Sequence, residues 1–362
     1  MPTNDDRAAN ATQPGSGHRG RRRRAQWVFS VAVSVAAAAG LAGGVTASSA
    51  ATMPARADAG MPRYYVISSH SGPAALQVRT SATGRVTGRV APPAACDPKT
   101  FRIAGAADDP NFVVGCDTPY AKSQAIAFYR LRIDSRGHAS ALRPLAIRTP
   151  AGSLDDLALT PDGRRLAISM QGFNGAPGAL EVVTLATGRV RTWTGGSPYD
   201  LSWVGNGREL GFFGSGGLYG LNPDAPGTNG GKLSSAHLLL SRTFGRNGME
   251  EARLSPDGTT IIASVIYASS APLHRGSVVG GIVQISVRTG KVLHTLVTQH
   301  AHYSTDGGGS EAGWYSAGCM LGPIDSTGQH LLAGCDHFGR LDRARFTALP
   351  GVAQDTFFAA AW

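Results

Sequence analysis

Two kinds of turn recur along this chain, and their spacing constrains the fold more than any other feature of the sequence. The first is a Pro-Asp-Gly turn between short apolar runs, in LTPDGRRLAIS (159–169) and LSPDGTTIIAS (254–264). Degenerate copies are WVGNGRELGFF (203–213) and IDSTGQHLLAG (324–334). The glycine supplies the positive φ that such a turn between antiparallel strands needs.

A Thr-Gly turn is the second, again between two apolar strands. It occurs in QVRTSATGRVTGRV (77–90), VVTLATGRVRTW (182–193) and VQISVRTGKVLHTL (283–296). Its glycines, Gly84, Gly188 and Gly290, are 104 and 102 residues apart. Each interval corresponds to two repeats of about 51–52 residues, which is the signature of a repeat architecture.

One repeat therefore contains four strands that form an antiparallel meander. A single sheet of this kind cannot bury both of its faces, so the copies must stack radially. We predict an all-β fold, a six-bladed β-propeller, with seven blades as the alternative. The five complete predicted blades are residues 101–147, 154–194, 199–243, 250–297 and 315–350.

The sixth predicted blade is divided between the two ends of this region. Residues 64–90 supply three strands, and FFAAAW (357–362) supplies the fourth. The fourth strand resembles the inner strand YDLSW (199–203), with Trp362 in the place of Trp203. We expect the C-terminal strand to complete the N-terminal blade and to close the ring, because closure removes the exposed edges of an open sheet.

Both turns resemble those of TolB-like and WD-repeat-like propellers, over about residues 64–362. The pattern is similar to secreted actinobacterial propeller proteins of unassigned activity. The Trp-Asp dipeptide of true WD repeats is missing, since Thr192-Trp193 and His294-Thr295 stand at the equivalent positions. The resemblance therefore implies a fold and leaves the function open.

The N-terminal segment has the pattern of an export signal. Residues 1–26 are polar, end with the cluster Arg21–Arg24 and are expected to be disordered. Residues 27–47 are apolar and predict an N-terminal helix that is either a signal peptide or a single transmembrane anchor. Cleavage sites are offered by Ala55-Arg56-Ala57 and Val45-Thr46-Ala47.

We therefore expect a linker at residues 48–62 and the propeller at 63–362, outside the cytoplasm. The protein would be secreted or anchored to the outer face of the cytoplasmic membrane. The net charge is +10, but no run of Lys or Arg follows Arg24, so we expect no nucleic-acid partner. We expect a monomer that touches the membrane only through residues 27–47, if they are uncleaved.

The four cysteines predict two disulfide bonds in an oxidising compartment. Cys319 and Cys335 each lie eight residues from Thr327, so hairpin pairing places them on opposite strands. Cys96 and Cys116 flank the turn at residues 108–110. We expect the pairs Cys96–Cys116 and Cys319–Cys335, with four buried thiols as the alternative.

Two groups of polar residues are candidates for ligand binding. The loop QHAHYSTDGGGSE between two blades carries potential metal ligands, namely His300, His302, Asp306 and Glu311. Two acidic pairs are predicted to lie just before the innermost strands and to face the channel mouth, where a cation or a basic ligand could bind: Asp155-Asp156 and Glu250-Glu251. The alternative for both groups is a solvated surface without a ligand.

No motif in the sequence predicts a particular reaction, because nucleophile elbows, HExxH motifs and phosphate loops are missing. We predict a non-catalytic binding module for a cell-envelope or extracellular protein, peptide or glycan at the channel mouth. The alternative is a propeller-type hydrolase, lyase or dehydrogenase that depends on a divalent metal at the same place. No other cofactor is expected.

Overall fold

The computed structural model divides the chain into two compact units, Met1–Pro54 and Ala55–Trp362. The structure describes the following residues of the second unit: 60–69, 75–106, 109–118, 125–148, 152–172, 177–205, 207–226, 230–244, 247–267, 277–302, 319–335, 337–352 and 359–362. The predicted signal or anchor segment, residues 27–47, lies outside them. Within these ranges no helix has the length and the apolar character that a membrane span requires.

Blades 2, 3 and 4 follow one another along the chain. The strands of blade 2 are β4 (Arg102–Ala106), β5 (Asp109–Asp117), β6 (Ile126–Arg132) and β7 (Arg143–Leu145). Those of blade 3 are β8 (Ser153–Leu159), β9 (Arg165–Gln171), β10 (Ala179–Thr184), β11 (Arg189–Thr194) and the added β15 (Gly231–Lys232). Those of blade 4 are β12 (Tyr199–Val204), β13 (Glu209–Gly214), β14 (Gly217–Leu221) and β16 (His237–Ser241).

Blades 5, 6 and 1 complete the set. The strands of blade 5 are β17 (Thr243–Phe244), β18 (Asn247–Leu254), β19 (Thr260–Tyr267), β20 (Ser277–Ser286) and β21 (Val292–His302). Those of blade 6 are β22 (Met320–Ile324), β23 (His330–Gly334), β24 (Phe338–Asp342) and β25 (Arg345–Ala348). Those of blade 1 are β1 (Tyr64–Ser69), β2 (Ala75–Thr80), β3 (Val86–Val90) and β26 (Ala360–Ala361). Single-turn 3-10 helices occupy Pro98–Thr100 and Leu233–Ser235.

The six innermost strands form a closed cycle. Strands β4, β8, β12, β18 and β22 pack side by side in this order, and β26 packs beside both β22 and β4. Strand β26 pairs antiparallel with β1, through Val66 with Ala361 and Ile67 with Ala360. The predicted six-bladed propeller, closed by the C-terminal strand, is therefore confirmed.

Trp362 occupies in blade 1 the position that Trp203 occupies in blade 4, as the sequence predicted. Nε1 of Trp362 donates to the carbonyl oxygen of Pro323 at 3.0 Å, and Nε1 of Trp203 donates to that of Ala158 at 3.0 Å. Each acceptor belongs to the innermost strand of the preceding blade. The two indoles therefore join neighbouring blades in the same way.

The hydrophobic core consists of six apolar clusters, each between two neighbouring blades. The cluster between blades 6 and 1 contains the ring of Tyr65, whose centroid lies 5.8 Å from that of Phe338 and 6.3 Å from that of Trp362. The side chains of β26 thus belong to the core, although the strand has only two residues. Burial between blades explains why no blade is stable by itself.

The recurring turns have the geometry that the sequence predicted. Gly163 and Gly258 have φ values of 68° and 72°. The preceding carboxylates of Asp162 and Asp257 accept the backbone N–H two residues further on, at 3.1 and 3.0 Å. These aspartates stabilise the turns and are not available for other chemistry.

The two ends of the propeller differ in their connections. In blades 2 to 6 the links from the innermost strand to the second and from the third to the fourth lie at one end, named here the turn end, and in blade 1 the β2–β3 link lies at this end too. The remaining links, including every crossover to the next blade, lie at the opposite loop end. Residues 119–124, 173–176, 268–276 and 303–318 belong to loop-end connections and lie outside the described residues.

The four cysteines come together in the two predicted pairs at disulfide-bonding distance. The Cα atoms are 5.5 Å apart in Cys96–Cys116 and 4.3 Å apart in Cys319–Cys335. Cys319 directly precedes β22 and Cys335 directly follows β23, and Met320 is opposite Gly334 in the register of these strands. The register of this hairpin therefore explains why Cys319 and Cys335 lie opposite each other.

Candidate functional site

The two acidic pairs predicted from the sequence lie inside the innermost strands, Asp155-Asp156 in β8 and Glu250-Glu251 in β18. The prediction that they precede these strands is wrong. The pairing register skips Asp155 and Glu250, so each strand contains a β-bulge that the sequence did not reveal. Both pairs lie in the half of their strand that is nearer to the loop end.

Asp156, Asp200 and Glu251 occupy one equivalent position in blades 3, 4 and 5. Each lies six residues before the Asp or Asn of the first turn of its blade. Each carboxylate accepts a backbone N–H from the innermost strand of the next blade. The N···O distances are 2.7 Å for Asp156 and 3.1 Å for Asp200, and Glu251 makes the corresponding bond to β22.

Asp117 makes a similar bridge from the end of β5 in blade 2. Its Oδ1 accepts the backbone N–H of Leu154 at 2.9 Å, and its Oδ2 accepts the hydroxyl of Ser153. Carboxylates of the described residues thus join four successive blades to the next one. We name Asp117, Asp156, Asp200 and Glu251 the bridging carboxylates.

Arg253 is the cation at the centre of these acids. Its guanidinium nitrogen lies 3.4 Å from Oδ1 of Asp200 and 3.8 Å from Oδ2 of Asp156. Its Nη1 also donates to the carbonyl oxygen of Leu201 at 2.8 Å. Burial by itself lowers the pKa of Arg253, but the surrounding carboxylates raise this pKa overall, so the guanidinium stays charged.

Two of the bridging carboxyl groups hold their protons unusually strongly. Burial is the largest cause that raises the pKa of Glu251 to about 7, against the opposing effects of the Leu321 N–H and the Arg253 charge. Burial also raises the pKa of Asp200 well above its usual range, with the charge of Glu251 as the next cause. The ionisation of this group of acids is therefore coupled to the packing of the ring.

Asp155 and Glu250 stand outside the bridges, at the two bulges. Both are half-buried and lie toward the loop end. Burial, followed by the charge of Asp156, raises the pKa of Asp155, while Arg102 lowers it. The same Arg102 donates its Nε to the backbone carbonyl of Asp155. A side-chain bond to Gln171 of β9 also lowers the pKa of Asp155.

The channel contains a small cavity of about 110 Å³, lined by residues of all six innermost strands. This space suits several waters or one small ligand. Trp203 and Trp362 line it, and its charged lining residues are Asp156, Arg253 and Asp325. A ligand of larger size must therefore bind at an end of the channel.

Two of the four predicted metal ligands lie within the described residues. His300 and His302 lie in β21, the outermost strand of blade 5, so the prediction that they lie in a loop between blades is wrong. The reason is the length of the β20–β21 pairing, which continues to His302 opposite Ser277. Asp306 and Glu311 lie outside the described residues, and their role stays a prediction.

The described ranges contain no group of three or more His, Cys, Asp or Glu side chains that could hold a metal ion. The sequence reasoning also missed three residues of the site, Asp117, Asp200 and Arg253. The six-residue spacing from the first turn would have identified Asp200, because it is shared with Asp156 and Glu251. Arg253 has no such signal, since two of its partners belong to other blades.

No protein-family model and no curated protein matches the chain. Among solved structures it is similar to TolB from Acinetobacter baumannii, with 16% identity, 83% of this chain and 65% of that chain covered, and a TM-score of 0.46. The chain thus spans less than two thirds of that TolB. A putative TolB from Agrobacterium tumefaciens is 15% identical over 67% of this chain and 83% of its own, with a TM-score of 0.41.

A third similar structure is an oligogalacturonate lyase in complex with manganese. It is 12% identical over 72% of this chain and 70% of its own, with a TM-score of 0.41. The two TolB structures agree with the resemblance predicted from the turns. At these identities and TM-scores the comparisons carry no argument about activity. The six-bladed ring rests on the strands of the chain itself.

Proposed function

We propose that this protein is an exported, non-catalytic binding module whose partner docks at the loop end of the propeller. The observation that carries the proposal is that the channel carboxylates form bonds between neighbouring blades. Asp156, Asp200 and Glu251 bond to the next blade, and Arg253 compensates their charge. An acid or base in catalysis has to exchange protons with a substrate, whereas these groups hold the ring together.

The partner is a cell-envelope or extracellular protein that presents a basic segment. Asp155 and Glu250 are half-buried acids in the loop-end half of their strands, outside the bridges. Complementary charge guides association and selects among partners. The loop-end connections, which are rich in Gly, Ser, Pro and Asn, suit adaptable contacts around such a segment.

Export is supported by Arg21–Arg24 ahead of the apolar residues 27–47. The two cysteine pairs at disulfide-bonding distance fit an oxidising compartment. Fractionation of cells that produce the full chain, probed with an antibody against the propeller, tests this part of the proposal. Finding most of the protein in the cytoplasm with an intact N-terminus would contradict it.

The binding test compares a lysine-rich peptide with a glutamate-rich peptide of equal length, by calorimetry at low and high salt. We expect the basic peptide to bind, more weakly at high salt, and the Asp155→Asn/Glu250→Gln variant to lose this binding. The matched control is Asp162→Asn/Asp257→Asn, which removes two charges at the turn end. Asn206 stands at the equivalent turn position of blade 4, so asparagine suits these turns.

The alternative function is a metal-dependent hydrolase, lyase or dehydrogenase. It is favoured by the potential ligands His300, His302, Asp306 and Glu311 near one crossover. Its test is calorimetry with Ca²⁺, Mn²⁺ and Zn²⁺, followed by assays on lactones and acidic sugar oligomers. Stoichiometric metal binding and turnover, both lost in His300→Ala/His302→Ala, would replace the binding-module proposal.

A further inference from the structure

Three arginines share one face of blade 2, far from the channel. Arg130 and Arg132 lie two residues apart in β6, so their side chains leave the strand on the same side. Arg143 of β7 is directly opposite Arg130 in the pairing register. All three side chains are exposed. Like charges opposite each other on neighbouring strands destabilise a sheet, so this arrangement needs a reason.

These arginines also have no acidic partner in the described part of the chain, whereas a few other arginines do. Arg165 lies 2.6 Å from Asp224, and Arg340 lies 2.6 Å from Asp342. The acid closest to β6 along the chain is Asp134. Its carboxylate is already bonded to the ring of His138 at 3.0 Å and to two backbone N–H groups of its own turn.

The three arginines line a surface groove of about 330 Å³, together with Ser140 and Leu145. Arg132 and Ser140 also line a second groove, which contains Arg63 and His138. Arg63 adds a further cation to this second groove, and Asp134, which is paired with His138, also lines it.

We propose that this groove binds an anion with adjacent phosphate groups, either a condensed phosphate or a phosphorylated lipid headgroup. The planar fork of a guanidinium matches the oxygens of phosphate in a bidentate way. One carboxylate offers two oxygens and a single charge, which suits a single arginine. Adjacent phosphates offer enough oxygens and charge for Arg130, Arg132 and Arg143 together, and they relieve the repulsion across the strand pair. This inference does not depend on the proposed function.

The experiment titrates the full chain with tripolyphosphate and with inorganic phosphate by calorimetry at low salt. We expect tripolyphosphate to bind at least about tenfold more tightly, and Arg130→Gln/Arg143→Gln to weaken it by at least about tenfold. The matched control, Arg189→Gln/Arg208→Gln, removes two exposed arginines from blades 3 and 4 and should bind as the wild type does. Equal binding by the wild type and Arg130→Gln/Arg143→Gln, or no binding at all, would overturn the proposal.

A thermal readout separates a ligand site from a structural role. Without ligand, Arg130→Gln/Arg143→Gln should melt at the same or a higher temperature than the wild type, since the like-charge pair is gone. Tripolyphosphate should raise the melting temperature of the wild type only. A variant that melts at a lower temperature without ligand would show that the arginines stabilise the blade, contrary to the proposal.

Cosedimentation with vesicles distinguishes the two sources of phosphate. Vesicles of phosphatidylcholine with and without cardiolipin, whose headgroup carries two phosphates, are compared for the wild type and for Arg130→Gln/Arg143→Gln. Extra binding to the anionic vesicles that disappears in the variant assigns a lipid headgroup. Tripolyphosphate binding without this difference assigns a soluble phosphate ligand, and both results support the phosphate chemistry of the groove.

Discussion

At the scale of single residues, the bridging carboxylates show how backbone conformation and charge combine between blades. Asp200 has a φ of 54°, in the left-handed region that aspartate tolerates better than most residues. It lies where the pairing register between β12 and β13 shifts. Such a conformation costs about 1–3 kcal/mol, and it persists where the surroundings compensate. At Asp200 the hydrogen bond to β18 and the ion pair with Arg253 compensate this cost.

Glu251 makes stability depend on pH. Because its pKa is raised to about 7, from a usual value near 4.5, the folded state binds this proton more strongly than the unfolded chain does. Its contribution to the free energy of unfolding is complete below the usual pKa and is lost as the pH rises to 7. We expect Glu251→Gln to remove this loss, on the order of 2–3 kcal/mol at pH 8.

Urea denaturation at pH 5 and pH 8 measures the effect of Glu251→Gln. The variant should be more stable than the wild type at pH 8, and the difference should shrink at pH 5. Glu250→Gln is the matched control, since it removes the same charge from the next residue, which lies at the bulge. A wild-type stability that rises from pH 5 to pH 8 with no change in Glu251→Gln would contradict the prediction.

Arg253→Leu should destabilise the propeller strongly. The change leaves Asp156, Asp200 and Glu251 close together without their central cation. Breaking a buried ion pair from one side costs about 3–5 kcal/mol. Equilibrium unfolding in urea measures the loss, and Arg253→Leu/Asp200→Asn should recover part of it. Additive losses in the double variant would mean that the two residues do not interact.

Sequence reasoning located part of this site. Asp156 and Glu251 were found because each belongs to an acidic pair before a Pro-Asp-Gly turn. Asp200 stands alone before a degenerate turn and was missed. The sequence could not predict that these carboxylates bridge two blades, because their hydrogen-bond donors belong to the next blade. A β-bulge likewise leaves no clear signal in the alternation of apolar and polar residues along a strand.

At the scale of strands, the closure of the ring requires a glycine in blade 2. A Cβ atom on Gly105 of β4 would overlap the carbonyl oxygen of Trp362 and touch the ring of Phe112. We expect Gly105→Ala to displace β26 and to lower the free energy of unfolding by about 1–3 kcal/mol. Thermal melting compares it with Gly248→Ala in β18, where no atom lies within 4 Å of the added Cβ. Equal melting temperatures for both variants would contradict this account.

The hairpin of β22 and β23 is the element that the second cysteine pair links. The two cysteines are 16 residues apart, and a disulfide across such a loop stabilises a fold by about 3 kcal/mol. We expect Cys319→Ala/Cys335→Ala to lose about this amount in urea denaturation. Peptide mapping without reductant should show Cys319 bonded to Cys335, and four alkylated thiols in the exported protein would refute the pairing.

At the scale of the whole molecule, the repeat made the architecture predictable. The interval of about 51–52 residues between equivalent turns favoured six blades over seven. The likeness of FFAAAW to YDLSW indicated the closure, which the pairing of Val66 with Ala361 confirms. The ends of the strands were less predictable, because a strand continues for as long as its partner strand pairs with it. His300 and His302 were therefore predicted in a loop although they belong to a strand.

Removing residues 356–362 should open the ring. The deletion takes away the buried indole of Trp362 and leaves β1 without its inner partner. Loss of a buried tryptophan alone costs about 3–5 kcal/mol, against a typical total stability of about 5–15 kcal/mol. We expect aggregation in size-exclusion chromatography and no cooperative melting. Deleting residues 1–20 serves as the control and should leave the melting temperature unchanged.

The pairing of β1 with β26 also sets a lower limit on the time that the ring needs to close. Almost 300 residues separate Val66 from Ala361, so at ~5–20 residues per second the first strand waits for about 15–60 s before its inner neighbour leaves the ribosome. During that time one edge of blade 1 is open to any other extended chain. The risk of pairing with another chain therefore lasts until residues 360–361 have been made and have reached β1.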